Sequence, residues 1–478
     1  MSKSNPFKPA KFNFKKIKGK YLLTNDFGEW MYASEKDFAD FKNGKLSAES
    51  HVFAELEKKF FIRNKKNYPE LIDKYLRFNK SFLQGPSLHI IVLTLRCNHR
   101  CLYCQVSPVA KDVSGTDMTE MTAKKVVDTI FKSPSNNIRI EFQGGEPLLN
   151  WKVLKYIVKY AKGLNETKKK NLLISLVSNL TLMDGEKLKF LLEEDVEIST
   201  SFDGPADVHN KNRIFAEGDS HELVTAQIKK IQKSMAEKRK KEKGKTIFPI
   251  HGILTTTRFS LNKYKEIIDE YKRLGLDGIF LRPLSPLGLE RQTAGIIGYG
   301  AEEFIRFYKR SMDYILELNL KGQFFKEINT FYLLRKILKK KDPNYLEMRS
   351  PCGAGIGQMA YDYNGIVYTC DEGRMAERMG HSNFRLGNVF ENDYDRMLNN
   401  ETVKIMGLAS CLDNQAGCLD CVYKPYCGIC PLTNYIEYGT IFPQITNTDK
   451  CKINKAILDY LFAKINDKRV RPILESWL

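Results

Sequence analysis

Three cysteines in one short loop are the residues of this chain with the clearest capacity for chemistry. Cys97, Cys101 and Cys104 directly follow an apolar run over 89–96 that predicts a buried strand. Thiolates spaced C-x3-C-x2-C can hold three irons of a 4Fe–4S cube and leave the fourth iron without a protein ligand. Such an iron can bind and reduce a small molecule. A zinc site or chance spacing is the alternative, although zinc sites more often use paired C-x2-C elements or four ligands.

A glycine pair marks the end of the next predicted strand, 137–143. Gly144 and Gly145 allow backbone groups to approach a ligand closely, because neither residue carries a side chain. Glu146 follows them and supplies a carboxylate suited to a ligand ammonium group. Tyr103 stands immediately before the third cysteine of the first motif.

Together the two motifs resemble the radical S-adenosylmethionine (radical SAM) superfamily, which has a C-x3-C-x-aromatic-C loop and a Gly-Gly-Glu-Pro strand end. The resemblance implies that the open iron chelates the amino and carboxylate groups of SAM. Reductive cleavage would then give methionine and a 5′-deoxyadenosyl radical. The cofactor-binding residues that it implies in these motifs are Tyr103, Gly144, Gly145, Glu146 and Pro147.

Alternating strand and helix patterns predict the scaffold of these motifs. The predicted strands are 89–96, 137–143, 171–179, 196–203, 246–255 and 278–283. Helical patterns separate them, so the expected fold class is α/β, with a partial (β/α)6 TIM-type barrel. Chemistry in such barrels lies at the carboxyl ends of the strands, where both motifs fall.

Other strand ends supply further candidates for the cofactor site. The resemblance places SAM ribose and carboxylate contacts near Ser178, Asn179, Ser201 and Arg213. Ser201 and Asn179 could bond hydroxyl groups, and Arg213 could pair bidentately with a carboxylate. Arg282, in the sixth strand, is a catalytic candidate, because a charge at a barrel-strand end usually faces a ligand or a carboxylate partner.

The C-terminal third contains a second set of cysteines, at positions 352, 370, 418, 421, 427, 430 and 451. Their order resembles the SPASM extension of radical SAM peptide-modifying enzymes, although Cys427 and Cys430 are two residues apart instead of three. The resemblance implies two auxiliary 4Fe–4S clusters, and structural zinc is the alternative. With the SAM-binding cluster, the expected cofactors are three 4Fe–4S clusters and S-adenosyl-L-methionine.

The resemblance also implies how these cysteines divide. The outer auxiliary cluster would take Cys418, Cys421, Cys427 and Cys451, and the inner one would take Cys352, Cys370 and Cys430. The fourth inner ligand is open: Cys411 could serve, or the position could receive a substrate group.

Two aspartates have open interpretations. Asp203 begins an Asp-Gly-Pro segment that is equally consistent with a turn capped by its carboxylate. Asp371 follows Cys370, and related sulfatase-maturing enzymes use an aspartate there, which makes it a candidate proton acceptor. The alternative for Asp371 is an exposed loop carboxylate.

The pattern of the first 84 residues predicts a separate element, with a hairpin over 19–33 followed by helices. This element is either a peptide-recognition module or a stabilising cap. With the cysteine loop and the segment 281–288, it is similar to the His-Xaa-Ser system radical SAM maturases. That resemblance implies a precursor peptide or small protein as substrate and a flavodoxin or ferredoxin as reductant.

Composition supports a globular chain without membrane or nucleic-acid partners. The 478 residues have 76 basic and 57 acidic side chains, but the lysine runs lack the interleaved aromatics of a nucleic-acid groove. We find neither a long apolar run nor a signal peptide, and we expect a cytoplasmic protein whose eleven cysteines are reduced. The predicted domains are 1–84, a barrel at 85–300, a helical linker at 301–345 and a SPASM domain at 346–478.

The sequence therefore predicts a radical SAM enzyme that crosslinks or oxidises a peptide after translation. The alternatives are a sulfatase-type maturase that forms formylglycine and a non-catalytic zinc or iron–sulfur scaffold.

Overall fold

Six parallel strands, adjacent in the same order as in the sequence, form the centre of the molecule. The computed structural model describes residues 7–63, 68–80, 84–244, 247–342 and 348–478. The six strands are β4 (Leu88–Val92), β5 (Asn137–Gln143), β6 (Asn171–Ser178), β7 (Glu197–Ser201), β8 (His251–Thr255) and β9 (Gly278–Arg282). This is an α/β fold with a central parallel sheet, consistent with the predicted partial barrel.

The two faces of this sheet differ in character. On β5, Ile138, Ile140 and Phe142 are buried in the main apolar core together with residues of the surrounding helices. The alternate residues Arg139 and Glu141 point to the other face and are only partly covered. Because side chains alternate across a strand, one face binds the helices and the other lines the interior of the barrel.

Helices connect the strands and cover the outer face. They are α4 (Glu120–Ile130), α5 (Trp151–Lys168), α6 (Gly185–Glu193), α7 (Ala206–Asn212), α8 (Ser220–Lys241), α9 (Tyr264–Arg273), α10 (Glu290–Ile297), α11 (Ala301–Leu320) and α12 (Ile328–Lys339). Thr119 is the N-cap residue of α4, and its hydroxyl accepts a hydrogen bond from the backbone N–H of Thr122 at 3.1 Å. Such caps stabilise α4 because they satisfy backbone donors that the first helical turn leaves unpaired.

The C-terminal region continues the same sheet. Strand β10 (Gln358–Tyr361) pairs in parallel with β4, and β11 (Ile366–Tyr368) and β12 (Arg385–Asn388) follow in antiparallel order. The remaining helices are α13 (Asp371–Glu377), α14 (Tyr394–Leu398), α15 (Glu401–Ser410), α16 (Pro431–Tyr438), α17 (Asp449–Ile465) and α18 (Arg471–Ser476). The predicted domain boundary at 345/346 lies outside the described residues.

The N-terminal element is a three-stranded antiparallel sheet with three helices. Its strands are β1 (Asn13–Ile17), β2 (Lys20–Thr24) and β3 (Trp30–Ala33), and its helices are α1 (Glu35–Lys42), α2 (His51–Lys58) and α3 (Tyr68–Asn79). The predicted hairpin is confirmed as β2 and β3, whereas β1 was not predicted. Asn13 donates to the carbonyl oxygens of Leu419 and Cys421 at 3.1 and 3.0 Å, so this sheet holds the C-terminal cysteine region directly.

The predicted strands are generally longer than the observed ones, and the first and fifth differ most. The first ends at Val92 because residues 94–96 turn to bond the glycine motif, and the fifth begins at His251. Thr246, the first residue of that prediction, lies outside the described residues. No helix within the described parts of the chain is both long and apolar enough to cross a membrane.

Candidate active site

The first cysteine loop lies at the carboxyl end of β4 and is fixed by backbone pairing. Arg96 and Cys97 pair with residues 109–110, and Cys101 pairs with Arg213 in a short antiparallel bridge. Burial and the neighbouring charges of Cys101 and Glu146 raise the pKa of the Cys97 thiol. The loop therefore brings the first cysteine close to the glycine motif, as the sequence predicted.

A buried polar chain anchors the aromatic residue of this loop. The Tyr103 hydroxyl donates to Asp203 Oδ2 at 2.7 Å, and Arg213 Nη1 donates to the Tyr103 oxygen at 2.6 Å. Burial raises the pKa of Asp203 to about 6, although the Arg213 guanidinium opposes that rise. Asp203 is thus fully buried against Tyr103, and the N-cap residue of the following helix α7 is Pro205. Arg213 is beside Cys101 and Tyr103, at the predicted cofactor site.

The glycine pair packs closely against the backbone that leads into the cysteine loop. Gly145 N donates to Thr94 O at 2.8 Å, and Glu146 N donates to Arg96 O at 2.7 Å. A Cβ atom at Gly144, where φ is +134°, would lie 2.3 Å from Thr94 O, and one at Gly145 would lie 2.1 Å from Arg96 O. Only glycine permits this approach, because both distances are far below van der Waals contact.

Replacing Gly145 with alanine should therefore disrupt the cysteine loop. The added methyl group must push away the Arg96 carbonyl, which precedes Cys97. We expect Gly145→Ala to lose about 2 kcal/mol or more of unfolding free energy and to retain less iron after reconstitution. Chemical denaturation and an iron assay measure both effects.

Gly163 provides the matched control, because a Cβ there meets no atom within 4 Å in the middle of α5. Gly163→Ala should stabilise the protein by about 0.5–1 kcal/mol through helix propensity. Equal stability and iron content in the two variants would contradict the close-approach interpretation.

The Glu146 carboxylate is held by hydrogen bonds from three neighbouring groups of the protein. Its carboxylate accepts hydrogen bonds from Ser178 Oγ at 2.8 Å, from Asn179 N at 2.8 Å and from Leu148 N at 3.0 Å. Burial raises the pKa of Glu146, and these donors oppose the rise. Glu146 thus joins the ends of two neighbouring strands, while Pro147 begins the next helical turn.

Two of the remaining strand-end candidates, Asn179 and Arg282, contact the cysteine loop or the residue directly after it. The Asn179 side chain donates to Asn98 Oδ1 at 2.8 Å, within the first cysteine motif. Arg282 Nη2 donates to Gln105 Oε1 at 3.2 Å, immediately after that motif. Ser201 ends β7 on the interior face and is partly exposed.

Asp371 is buried, so the alternative interpretation as an exposed loop carboxylate is wrong. It occupies the first turn of α13, where its Oδ1 accepts from Arg374 Nε at 3.0 Å and from Nη2 at 2.7 Å. The Arg374 charge also lowers the pKa of Cys104, against the larger effect of burial. Burial raises the pKa of Glu141 and the charge of Asp371 adds to that rise. Asp371 and Arg374 thus lie between the first cysteine loop and the barrel interior.

The C-terminal cysteines form two groups. Cys352, Cys370 and Cys430 pack in one apolar cluster, and burial followed by the charges of Glu372, Cys430 and Cys352 raises the pKa of Cys370. This set is called the inner group below. Met379 packs against the same cluster.

The outer group consists of the four cysteines at 418, 421, 427 and 451. All four line one small cavity, together with Lys424, Lys450, Lys455 and Asn454. Asn454 Nδ2 donates to Cys427 Sγ at 3.5 Å. Cys411 ends α15, and the next residue, Leu412, packs against Cys418 of the outer group.

Across the residues that the structure describes, no three His, Cys, Asp or Glu side chains converge as ligands of one metal ion do.

Comparison with known proteins shows which family the strand–helix region resembles. Residues 91–238 match the radical SAM superfamily. The chain carries a radical SAM domain. Such a domain implies a 4Fe–4S cluster and SAM. The chain is 23% identical over 353 residues to the cysteine-type anaerobic sulfatase-maturating enzyme of Clostridium novyi (strain NT), covering 72% of this chain and 87% of that enzyme. It is 27% identical over 212 residues to the radical SAM cyclopropyl synthase TigE of Paramaledivibacter caminithermalis, covering 40% and 42% of the two chains.

Two solved structures share the fold. Native anSMEcpe with bound AdoMet has a TM-score of 0.64 at 20% identity, covering 81% of this chain and 99% of that one. Streptococcus suis SuiB bound to the precursor peptide SuiA has a TM-score of 0.54 at 15% identity, covering 93% and 100% of the two chains. The chain is therefore related in sequence to a sulfatase-maturating enzyme and shares its fold with anSMEcpe and SuiB.

Sequence reasoning missed two members of the site. Glu141 precedes the glycine motif and was treated as strand sequence, although its period-two position already places it on the interior face. Arg374 lies three residues after Asp371 in a helix, and that spacing brings the two side chains together.

Proposed function

We propose that this radical SAM protein modifies a peptide or small protein after translation, using one SAM-binding 4Fe–4S cluster and two auxiliary clusters. The modification would be a crosslink or the oxidation of a side chain. The observation that carries the proposal is the sorting of ten cysteines into three separate groups, one at the barrel rim and two in the C-terminal region.

The residues around each group suit an iron–sulfur cluster. Cluster ligands are thiolates, which buried sites accommodate only with compensating positive charge. Arg213 and Arg374 lower the pKa of Cys104, and Lys455 lowers that of Cys451, in both cases against the larger opposing effect of burial. Cys97, Cys101 and Cys104 would hold the SAM-binding cluster, and the inner and outer groups would hold the auxiliary ones.

When bound, the first cluster would supply an electron that cleaves SAM to a 5′-deoxyadenosyl radical. The protein's own part is positioning. The Gly144–Gly145 backbone packs directly against the start of the cysteine loop and fixes its position, and Tyr103 in that loop is held by Asp203 and Arg213. Ser178, Asn179 and Ser201 line the adjoining strand ends as candidate contacts for SAM.

Asp371 is proposed as the acceptor of a substrate proton. Arg374 holds its carboxylate through two hydrogen bonds to one oxygen, Oδ1, which leaves Oδ2 as the oxygen for a proton transfer. Arg282, which donates to Gln105 directly after the cysteine loop, is proposed to orient the substrate or a carboxylate group. Asp371 is linked to the first loop by Arg374, whose charge acts on Cys104, and Arg282 is linked to it by the hydrogen bond to Gln105.

The substrate assignment draws on the relatives. SuiB has been solved with a precursor peptide, and one anSMEcpe structure contains the peptide Kp18Cys. We propose that the present chain also takes a peptide, with a flavodoxin or ferredoxin as its reductant.

Sulfatase-type maturation is the second candidate, and it is favoured by the length of the match to the Clostridium novyi enzyme. That reaction converts a cysteine or serine to formylglycine, which is an aldehyde. The peptide-crosslinking reaction leaves no aldehyde, so a carbonyl-reactive hydrazide distinguishes the two.

Mass spectrometry of a peptide encoded beside the gene and co-expressed with the enzyme tests the proposal. A crosslink or side-chain oxidation should remove two hydrogen atoms from the peptide. The same peptide co-expressed with a Cys97, Cys101 and Cys104 triple alanine variant is the control. Hydrazide labelling of the product would support sulfatase-type chemistry, and bound zinc without SAM turnover would support a scaffold.

A further inference from the structure

Two buried histidines are joined through one serine hydroxyl beside the first cysteine loop. His99 lies within that loop, between Cys97 and Cys101, and its Nε2 is 2.8 Å from Ser220 Oγ. His209, on α7, has its Nε2 3.0 Å from the same oxygen. The two histidines and the serine are at most 5% exposed. We call these three residues the His–Ser–His clamp.

The backbone sets the direction of the hydrogen bonds in the clamp. Asp203 N donates to His209 Nδ1 at 3.3 Å, so His209 carries its proton on Nε2 and donates it to Ser220 Oγ. Burial, to which the charge of Arg213 adds, lowers the pKa of His209 and keeps this ring neutral. The serine then donates its one proton to His99 Nε2. A hydroxyl suits this position because it accepts from one ring and donates to the other.

The His99 end of the clamp is connected to a candidate SAM contact. With Nε2 accepting from the serine, His99 carries its proton on Nδ1, which lies 3.3 Å from Asn98 Oδ1. Asn179 Nδ2 donates to the same Asn98 oxygen at 2.8 Å. The clamp therefore connects Asp203, after β7, with the cysteine loop and with Asn179 at the end of β6.

The segment after β7 holds the cysteine loop on both sides of Cys101. Asp203 is linked to His99 through the clamp, and its carboxylate accepts directly from Tyr103. Phe215 stacks on the His99 ring, with 4.6 Å between the ring centroids and 11° between the planes. The clamp thus holds the first half of the loop, as Asp203 and Tyr103 hold the second.

We propose that the His–Ser–His clamp positions the cysteine loop and Asn179 for SAM, with Ser220 and His209 as positioning residues that act through His99. The inference rests on the proposed function, since it requires that this loop hold the SAM-binding cluster. Without the serine hydroxyl, a buried donor on His209 and a buried acceptor on His99 lose their partner. Such unpaired groups are costly, so the loop should shift to satisfy them.

Ser220→Ala should therefore raise the dissociation constant of SAM about tenfold, which is the value of one buried hydrogen bond. Its iron content should stay near that of the wild type, because the three thiolates are unchanged. Electron paramagnetic resonance (EPR) of the anaerobically reconstituted, reduced full chain, titrated with SAM, measures the dissociation constant. Ser220→Thr keeps the hydroxyl and should bind SAM as the wild type does.

Ser311→Ala is the matched control for the loss of a buried hydroxyl. Ser311 is fully buried and donates to Phe307 O at 2.8 Å, within a helix that packs against α9 and α17. This variant should lose stability in chemical denaturation and still bind SAM with the wild-type dissociation constant. Equally weakened SAM binding in Ser311→Ala and Ser220→Ala would overturn the inference, because a general loss of stability would then explain both.

A double-mutant cycle tests whether the two side chains act through one bond. His209→Phe removes the donor to the serine and should also weaken SAM binding. The Ser220→Ala/His209→Phe double variant should bind SAM no more weakly than Ser220→Ala alone, since the shared bond is already lost. A double variant weakened by the product of the two single effects would show independent sites and overturn the clamp.

Other outcomes are equally decisive. If Ser220→Ala loads no first cluster, His209→Gln, which keeps a donor, must bind SAM more tightly than His209→Phe, and equal binding overturns the inference. A wild-type cluster signal that SAM leaves unchanged contradicts the proposed function itself. A SAM response that Ser220→Ala retains in full contradicts only the clamp.

Discussion

Replacing Cys97, Cys101 and Cys104 together with alanine should abolish the formation of 5′-deoxyadenosine from SAM. These thiolates are the proposed ligands of the cluster that binds and reduces SAM, and no cleavage occurs without that cluster. The variant should also lose about four of the roughly twelve irons expected for three cubes. Chromatography of the reaction products and an iron assay measure the two effects.

The control is a triple variant in the outer group, Cys418, Cys421 and Cys427 to alanine. It should lose a similar amount of iron but still cleave SAM, because its cysteines lie away from the barrel rim. Deoxyadenosine from the first variant at the wild-type rate would refute the assignment of the SAM-binding cluster.

Asp371→Asn should uncouple SAM cleavage from peptide modification. The amide oxygen can still accept from Arg374, so the local geometry is kept, but the side chain no longer accepts a proton. Loss of a general base costs about 100-fold to 10,000-fold in rate. We therefore expect deoxyadenosine to form while modified peptide falls by about 100-fold or more.

The deoxyadenosine assay shows whether the Asp371→Asn protein is folded and loaded. Asp128→Asn is the matched control, because this partly exposed aspartate pairs with Lys124 on the outer helix α4. A normal yield of modified peptide from Asp371→Asn would exclude a proton-accepting role. If the substitution acted only by displacing Arg374, SAM cleavage would fall as well. The deoxyadenosine assay therefore separates a positioning role of Asp371 from a catalytic one.

The sequence predicted the barrel well because its signals are local. The strands are apolar runs, as in β4, or alternate apolar with polar residues, as in β5, and each helix has a cap or a regular apolar spacing, as at Thr119. The first cysteine loop and the glycine pair lie directly after two such strands. Their proximity therefore followed from the rule that parallel strands end at one edge of a sheet.

The parts that the sequence did not predict depend on distant contacts or on weak local patterns. Strand β10 pairs with β4 across more than 250 residues, and nothing within Gln358–Tyr361 indicates that partner. Strand β1 is an exposed edge strand whose lysines, Lys15 and Lys16, obscure the apolar alternation.

The burial of Asp371 also depends on contacts between distant parts of the chain. The sequence placed this aspartate beside Cys370 but gave no information about its exposure. Its environment is created by the return of the C-terminal region onto the barrel, which carries α13 close to Glu141 and Cys104. The ion pair with Arg374 then makes that burial tolerable.

EPR spectroscopy of the oxygen-free, reduced protein with and without SAM tests the central claim most directly. A three-cysteine cluster with one open iron predicts a 4Fe–4S signal that changes when SAM is added, and that signal should be absent from the Cys97, Cys101 and Cys104 variant. A wild-type spectrum without such a signal, or one that SAM leaves unchanged, would contradict the account.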